Sequence, residues 1–408
     1  MCGRGVLLLK GMKPVTATLT FIHTSDFQLG MTRKFLPPDA QSRFDAARLE
    51  AVAKLGELAR DKGAEFIVVA GDVFEHNTLE PRTHERALEV LRALPVPVYL
   101  LPGNHDPLVA DSIFTRREGV AEIDGVHVLR DFDPVEVREG VEIVGAPLTT
   151  KHAPEDLCAR AIAPLEPSEN IRVLVGHGAV EGFGDQDKAS LISVAGLNEA
   201  ASQGVIDYVA LGDTHSTQDL SSSGRVWYSG SPETTDFHDR REGVAGGETD
   251  SGNALVVTVE KRGLESTVQV ESVPVGEWTF EELAWEVAGP EDVDLILDQL
   301  RAYPHKDRTV IRYSITGTLG LEDTARLERG ITKLSHAFAA LYEHERYMGL
   351  YLQPSDEELA NLPLSGYARE AMAELAAAAS APSLPGEASD PVVRDSLNLL
   401  FRLSEEAK

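Results

Sequence analysis

Phe66-Ile-Val-Val-Ala70-Gly71-Asp72-Val-Phe74 decides how the rest of this chain is read. The apolar run is short enough for a buried strand and ends in glycine and then a carboxylate. The pattern recurs on either side. Leu19 to His23 reads as a strand with Asp26 just beyond it. Val96 to Leu101 runs into Pro102-Gly103-Asn104-His105-Asp106, and Ile171 to Val175 into Gly176-His177. Ile206 to Leu211 runs into Gly212-Asp213-Thr214-His215, and Val226 to Tyr228 into Ser229-Gly230-Ser231-Pro232. Helical patterns at 41–61, with Val52, Leu55 and Leu58 on one face, and at 82–93 lie between the first strands. Ordered α/β folds place chemistry on such strand-end loops, because a rigid sheet fixes them.

The 408 residues are too many for one ordinary core, so two or three domains are expected. The 42% apolar and 25% charged composition fits a globular chain, and no apolar run approaches the roughly 20 residues that span a bilayer. No membrane role and a cytoplasmic location are therefore expected. Cys2 lies in a tail expected over residues 1–14, with Met12 an alternative start, so Cys2 and Cys158 are not expected to pair. The net charge of −28 repels polyanions on average. A nucleic-acid substrate then requires divalent metals, a local basic patch or a partner subunit that supplies the basic surface; a small substrate requires none of these.

Residues 239–253 read as an exposed hairpin or loop, and Ala254 to Glu260 as a further strand. Composition then changes. Residues 263–350 show helical patterns at 291–301 and 321–341 around a strand at 309–315, an arrangement expected of a small α+β domain. In 351–408, Ser355 with Glu358 makes a capping-box signal, Asp390-Pro391 a helix start, and Val393, Leu397 and Leu400 recur at helical spacing after a Pro-Gly linker at 382–386.

Asp26, Asp72, Asn104, His177, Asp213 and His215 each follow an expected strand, and their oxygen and imidazole donors suit a pair of divalent ions sharing one carboxylate. Asp72 is the natural bridge. Taken singly, each aspartate is more simply a turn or helix cap; the ordered set is what points to metal.

Here the residues reach a known pattern. His23-Thr-Ser-Asp26-Phe-Gln28-Leu-Gly30, Gly71-Asp72-Val-Phe74, Gly103-Asn104-His105-Asp106, Gly176-His177 and Gly212-Asp213-Thr-His215 resemble the blocks of the calcineurin-like metallophosphoesterases, most nearly the SbcD-type DNA-repair exonucleases. Tyr228-Ser-Gly-Ser-Pro232-Glu before Phe237 resembles the segment that follows in that subfamily. The likeness covers roughly residues 18–260. It implies an α+β fold: a four-layer αββα sandwich, with a small α+β capping domain and C-terminal helices. The domains expected are a catalytic one at 15–262, the cap at 263–350, and a helical segment at 351–408 that docks a partner.

The resemblance further implies one ion on Asp26, Asp72 and His215, and a second on Asp72, Asn104, His177 and position 213. His105 would stand by the scissile phosphate, with Asp106 orienting it. Two positions depart from the family. Gln28 stands where the first block usually has histidine, and Asp213 where the last block has Gly-His-x-His. Gln28 offers an amide oxygen and Asp213 a third carboxylate, which shifts preference toward Mn²⁺ over Zn²⁺, with Fe and Mg²⁺ also in range. The implied reaction is in-line attack on a phosphodiester by a hydroxide bridging the ions. The implied partners are DNA, an SbcC-like coiled-coil ATPase and a second copy of the chain. A stand-alone phosphodiesterase or phosphatase on a nucleotide or other small phosphate ester stays open, and so does a decayed, non-catalytic scaffold. His76, His84, His152 and His238 have no spacing argument, and His23 is expected to close its strand by hydrogen bonding.

Overall fold

The structure, a computed structural model, describes residues 17–117, 119–181, 189–239, 248–353, 355, 358, 364–379 and 391–406. The expected tail, the 382–386 linker and most of the 239–253 loop lie outside the described residues. The chain divides into two units. One takes Met1–Thr32, Asp45–Thr235 and Asp250–Glu277, and the other Arg33–Phe44, Asp236–Thr249 and Trp278–Lys408.

The first unit is built on two sheets. β1 (Ala17–Thr24), β2 (Ile67–Val69), β3 (Val98–Leu100) and β4 (Val126–Val128) run parallel. β5 (Val135–Arg138) lies antiparallel to β6 (Val141–Gly145). From β6 the second sheet continues in parallel through β7 (Ile171–His177), β8 (Tyr208–Gly212) and β10 (Val226–Tyr228), with β9 (Gln218–Asp219) antiparallel at its edge. β11 (His238–Asp239) falls in the other unit. β12 (Asn253–Arg262) and β13 (Glu265–Pro274) complete the first sheet in the order β13-β12-β1-β2-β3-β4.

Burial on both faces explains why the parallel strands read as unbroken apolar runs. Phe21, Phe66, Val68 and Val257 of the first sheet share one core with Ile143, Val173, Val175 and Tyr208 of the second. Each such side chain contributes about 1.5–3 kcal/mol on leaving water. The opposite face of the first sheet packs on Val52, Leu55 and Ala59 of α1 (Pro38–Lys62) and Ala87, Leu88 and Leu91 of α2 (Pro81–Arg92). That of the second packs on Cys158 and Ala161 of α3 (Leu157–Ile162) and Leu197 and Ala200 of α4 (Val194–Ser202). These are the four αββα layers expected. The composition change at 262 does not end the unit. β13 pairs with β12 along its whole length, from Arg262↔Glu265 to Asn253↔Pro274, and the first unit runs on to Glu277.

The second unit is itself an α+β arrangement. β14 (Thr279–Val287), β15 (Thr309–Leu319), β16 (Ala340–Glu343) and β17 (Gly349–Leu352) are parallel, with β11 beside β14. Val293, Ile296 and Leu300 of α5 (Pro290–Ala302) and Leu327 and Ile331 of α6 (Leu321–Ser335) pack on Ile311, Tyr313 and Ile315. The helix expected over 321–341 stops at Ser335, because Ala340 to Glu343 pair with β15 instead. Ser355 and Glu358 exchange the two hydrogen bonds of a capping box. Leu397, Val393 and Leu400 of α8 (Pro391–Glu406) face Met372 and Ala376 of α7 (Tyr367–Ala379), so that stripe is core. Among the described residues no helix is long and apolar enough to cross a membrane, and Cys158 is a free, buried thiol.

Candidate metal centre

The carboxyl ends of the parallel strands carry the chemistry-bearing side chains. Asp26 and Gln28 follow β1, Asp72 follows β2 and Asn104 follows β3; His177 closes β7, and Asp213 and His215 follow β8. The backbone turns sharply to aim them. Asp26 (φ 54°), Gln28 (φ 41°), Asp72 (φ 53°) and Asp213 (φ 102°) all occupy left-handed conformations that side-chain-bearing residues rarely adopt. Among the described non-glycine residues only His305 does so elsewhere. Close packing adds to the constraint. A Cβ on Gly71 would lie 2.1 Å from His177 Nδ1, and one on Gly103 the same distance from Asp72 Oδ1.

One donor atom each from Asp26, Asp72 and His177, all buried, lie within 4.8 Å of one another. His177 Nε2 stands 3.4 Å from Asp72 Oδ1 and 3.7 Å from Asp213 Oδ1, and His215 Nε2 stands 3.9 Å from Asp26 Oδ1. Asn104 Nδ2 donates to Asp213 Oδ1 at 3.3 Å, which leaves its amide oxygen as the free donor to a cation. The surroundings fix which atoms are available. His177 Nδ1 meets the Ala70 carbonyl at 2.8 Å, and a carbonyl only accepts, so Nδ1 carries a proton and Nε2 is the atom that a neutral ring would offer to a metal. Thr235 Oγ1 hydrogen-bonds His215 Nδ1 and so orients that ring, and Ser25 Oγ donates to Asp26. Three buried atoms then have no hydrogen-bond partner: Gln28 Oε1, Asn104 Oδ1 and His177 Nε2. Unpaired polar atoms cost about 1–3 kcal/mol each, so their convergence on one cluster of carboxylates fits a cationic ligand.

Electrostatics agree. Burial pushes the Asp26 carboxyl up. Burial also pushes Asp72 up, but the His177 imidazole and the His105 amide outweigh it and hold Asp72 below its ordinary value. His177 is raised well above an ordinary imidazole: burial opposes this, and the Asp72, Asp26 and Asp213 carboxylates override it. The carboxylates outnumber the one buried imidazole that offsets them, a balance that a pair of divalent ions would suit.

Asp106 is placed otherwise than expected. Its carboxylate accepts the backbone N–H of Gly103 at 2.7 Å and of Phe74 at 2.9 Å, bracing two site loops and not the His105 ring. Burial, then the Asp72 charge, push it up to about 7. His105 is held by its amide on Asp72 Oδ1 and by Nδ1 on the Glu75 carbonyl at 3.1 Å. Its Nε2 reaches within 4.0 Å of Asp72 Oδ2, and the ring is part exposed. His23 is the strand closer expected: Nε2 donates to the Leu211 carbonyl, Nδ1 accepts from Tyr208, and burial pulls it down to about 3. No spacing pattern singles out His76 and Glu75, which the loops bring beside His105.

Residues 19–217 match the family described as calcineurin-like phosphoesterase. The matched residues thus form a calcineurin-like metallophosphoesterase domain; that class binds two divalent metals, and the donor set above fits such a pair. The DNA double-strand break repair protein Mre11 of Archaeoglobus fulgidus is 27% identical over 243 residues, covering 54% of this chain and 52% of that protein. The chain thus spans about half the length of this curated relative. Solved structures that match include TT1561 of Thermus thermophilus (TM-score 0.38, 13% identity, 64% of this chain and 100% of that one). A dimetal phosphatase from Danio rerio is another (TM-score 0.37, 10% identity, 64% and 99%).

Proposed function

We propose that this protein is a two-metal phosphodiesterase that cleaves DNA in repair, in the cytoplasm and together with an SbcC-like coiled-coil ATPase. The observation that carries the reading is the set of unpaired inward atoms on Gln28, Asn104 and His177 among the carboxylates of Asp26, Asp72 and Asp213. Asp26, Gln28, Asp72 and His215 would hold one ion, and Asp72, Asn104, His177 and Asp213 the other. With three carboxylates and two amides against two imidazoles, the donors favour Mn²⁺. When bound, the ions would polarise a phosphoryl oxygen and lower the pKa of a water.

The protein's own part is positional. Asp72 takes the His105 amide and lies between the two ligand groups. The Glu75 carbonyl fixes the proton of His105 on Nδ1, which turns a part-exposed Nε2 toward the metal cluster. From there the imidazole can contact the substrate phosphate and, when protonated, give a proton to the leaving oxygen. Similarity to an Mre11 described as a DNA double-strand break repair protein supports DNA as the ester. The net charge of −28 favours a second reading, a nucleotide or other small phosphate ester as substrate. In the first reading the partner supplies the basic surface, and a homodimer accompanies it.

The test measures Mn²⁺-dependent cleavage of linear DNA and of a chromogenic phosphodiester, with Asp72→Ala as control. Wild type is expected to cleave both and Asp72→Ala neither. DNA degradation that Asp72→Ala leaves unchanged overturns the nuclease, turnover of the chromogenic ester alone favours the small substrate, and absence of bound ion after Mn²⁺ loading overturns the centre.

A further inference from the structure

Glu75, His76 and His105 each offer a donor atom within 4.8 Å of the others, outside the cluster built on Asp72. The loop that carries the first two is tied down: Glu75 N–H donates to the Leu29 carbonyl at 3.1 Å, and Leu29 and Phe74 form an isolated bridge. On the facing loop the His105 amide is fixed on Asp72. The two loops that present the three donors are thus held by backbone contacts. His105 Nδ1 lies 3.7 Å from Glu75 Oε1, close to the roughly 3.3–3.5 Å between neighbouring donors on a tetrahedral ion with bonds of about 2.0–2.1 Å. Glu75 Oε2 is buried with no hydrogen-bond partner. His76 is exposed, so a cation and its remaining water can reach the set from solvent.

We propose that Glu75, His76 and His105 form a separate cation site that takes Zn²⁺ and thereby switches the phosphodiesterase off. Two imidazoles and one carboxylate with a fourth position open to water are a donor set suited to zinc. The neighbouring centre is richer in oxygen and favours harder ions, so the two sites sort cations by chemistry. A zinc ion on Nδ1 replaces the hydrogen bond to the Glu75 carbonyl, moves the ring proton to Nε2 and draws the imidazole toward His76. His105 is then withheld from the substrate phosphate. The inhibitory half rests on the role proposed for His105, whereas the binding half does not.

The experiment uses the full chain and zinc alone as probe. Metal analysis after dialysis against Zn²⁺ is expected to find one zinc more in wild type than in His76→Ala. The same difference is expected in an Asp72→Asn background, where the main centre is disabled, so failure of the two sites can be told apart. In Mn²⁺, His76→Ala without zinc is expected to turn over as wild type does, and to need roughly 10–100-fold more zinc for half-inhibition. Equal zinc content in wild type and His76→Ala overturns the site. Equal inhibition midpoints overturn the switch.

Discussion

Two buried acidic clusters, one in each unit, treat charge in opposite ways. In the second unit Glu282 is almost wholly buried on β14, and both of its oxygens are taken: Oε2 by Arg312 on β15 and Oε1 by His344 Nδ1 at 2.8 Å. Arg312 also lies over the Phe237 ring, 4.3 Å from its centroid. In the first unit Asp26, Asp72 and Asp213 crowd together with no lysine or arginine ion pair described among them, and polar atoms beside them stay unpaired. Both Glu282 oxygens are satisfied within the chain, and the one buried atom left over there, Arg312 Nε, belongs to a cation and cannot ligate a metal. The Asp72 cluster is complete only with something the chain does not encode. That contrast separates a structural carboxylate from a ligating one better than burial does, since Glu282 and Asp72 are both about 2% exposed.

The contrast breaks most visibly at His105. His105→Ala is expected to lower kcat on a chromogenic phosphodiester about 10²–10⁴-fold while bound Mn²⁺, read by metal analysis, stays at the wild-type level. Loss of metal along with rate would make His105 a ligand of the main centre instead.

Gly71→Ala probes the packing that aims His177. Left-handed backbone and a contact with His177 Nδ1 together are expected to cost about 2–4 kcal/mol in urea unfolding of the metal-free protein, and to weaken metal binding as well. A stability change under about 0.5 kcal/mol would show that the loops are less constrained than the contrast requires.

Glu282→Gln is the control from the other cluster. It should destabilise by about 1–3 kcal/mol while leaving metal content and turnover untouched. Loss of metal on this change would erase the distinction between the clusters.

A pH titration of stability tests burial away from both clusters, with an effect spread over several pH units. Folded His23 is held down at about 3 against an ordinary 6.5, so the unfolded chain binds the proton first. Stability from this group is therefore full above about pH 6.5 and falls as pH drops toward 3, by about 1.4 kcal/mol per pH unit. His23→Gln should show a shallower slope in that window, and parallel slopes would mean that His23 does not titrate as its burial demands.

How much of this was legible in the sequence follows from the range of the interactions. Asp26, Asp72, Asn104, His177, Asp213 and His215 could be found because each lies at or within a few residues of a strand end, and the ordered blocks told which strands belong together. The role of Asp106 was misread because adjacency to His105 suggested a contact. The side chain instead turns inward to Gly103 and Phe74 N–H groups, a direction no spacing reports. The boundary at 262 failed for a related reason. β13 is an edge strand with one face toward solvent, so its alternating Glu-Ser-Thr-Val pattern looked like a new domain and not the end of a sheet. His76 carried no signal because its neighbour His105 lies on another loop.

Selection of this chain for heat resistance alone would erode its metal centre first. Asp26, Gln28, Asp72 and Asp213 sit where glycine or asparagine is more comfortable, at about 1–3 kcal/mol of backbone strain apiece. Drift at Gln28 would be the easiest, since its amide oxygen has no partner to lose. A thermostability screen run without an activity gate is therefore expected to return glycines at these turns, and the survivors would be sturdier shells around an empty chemistry.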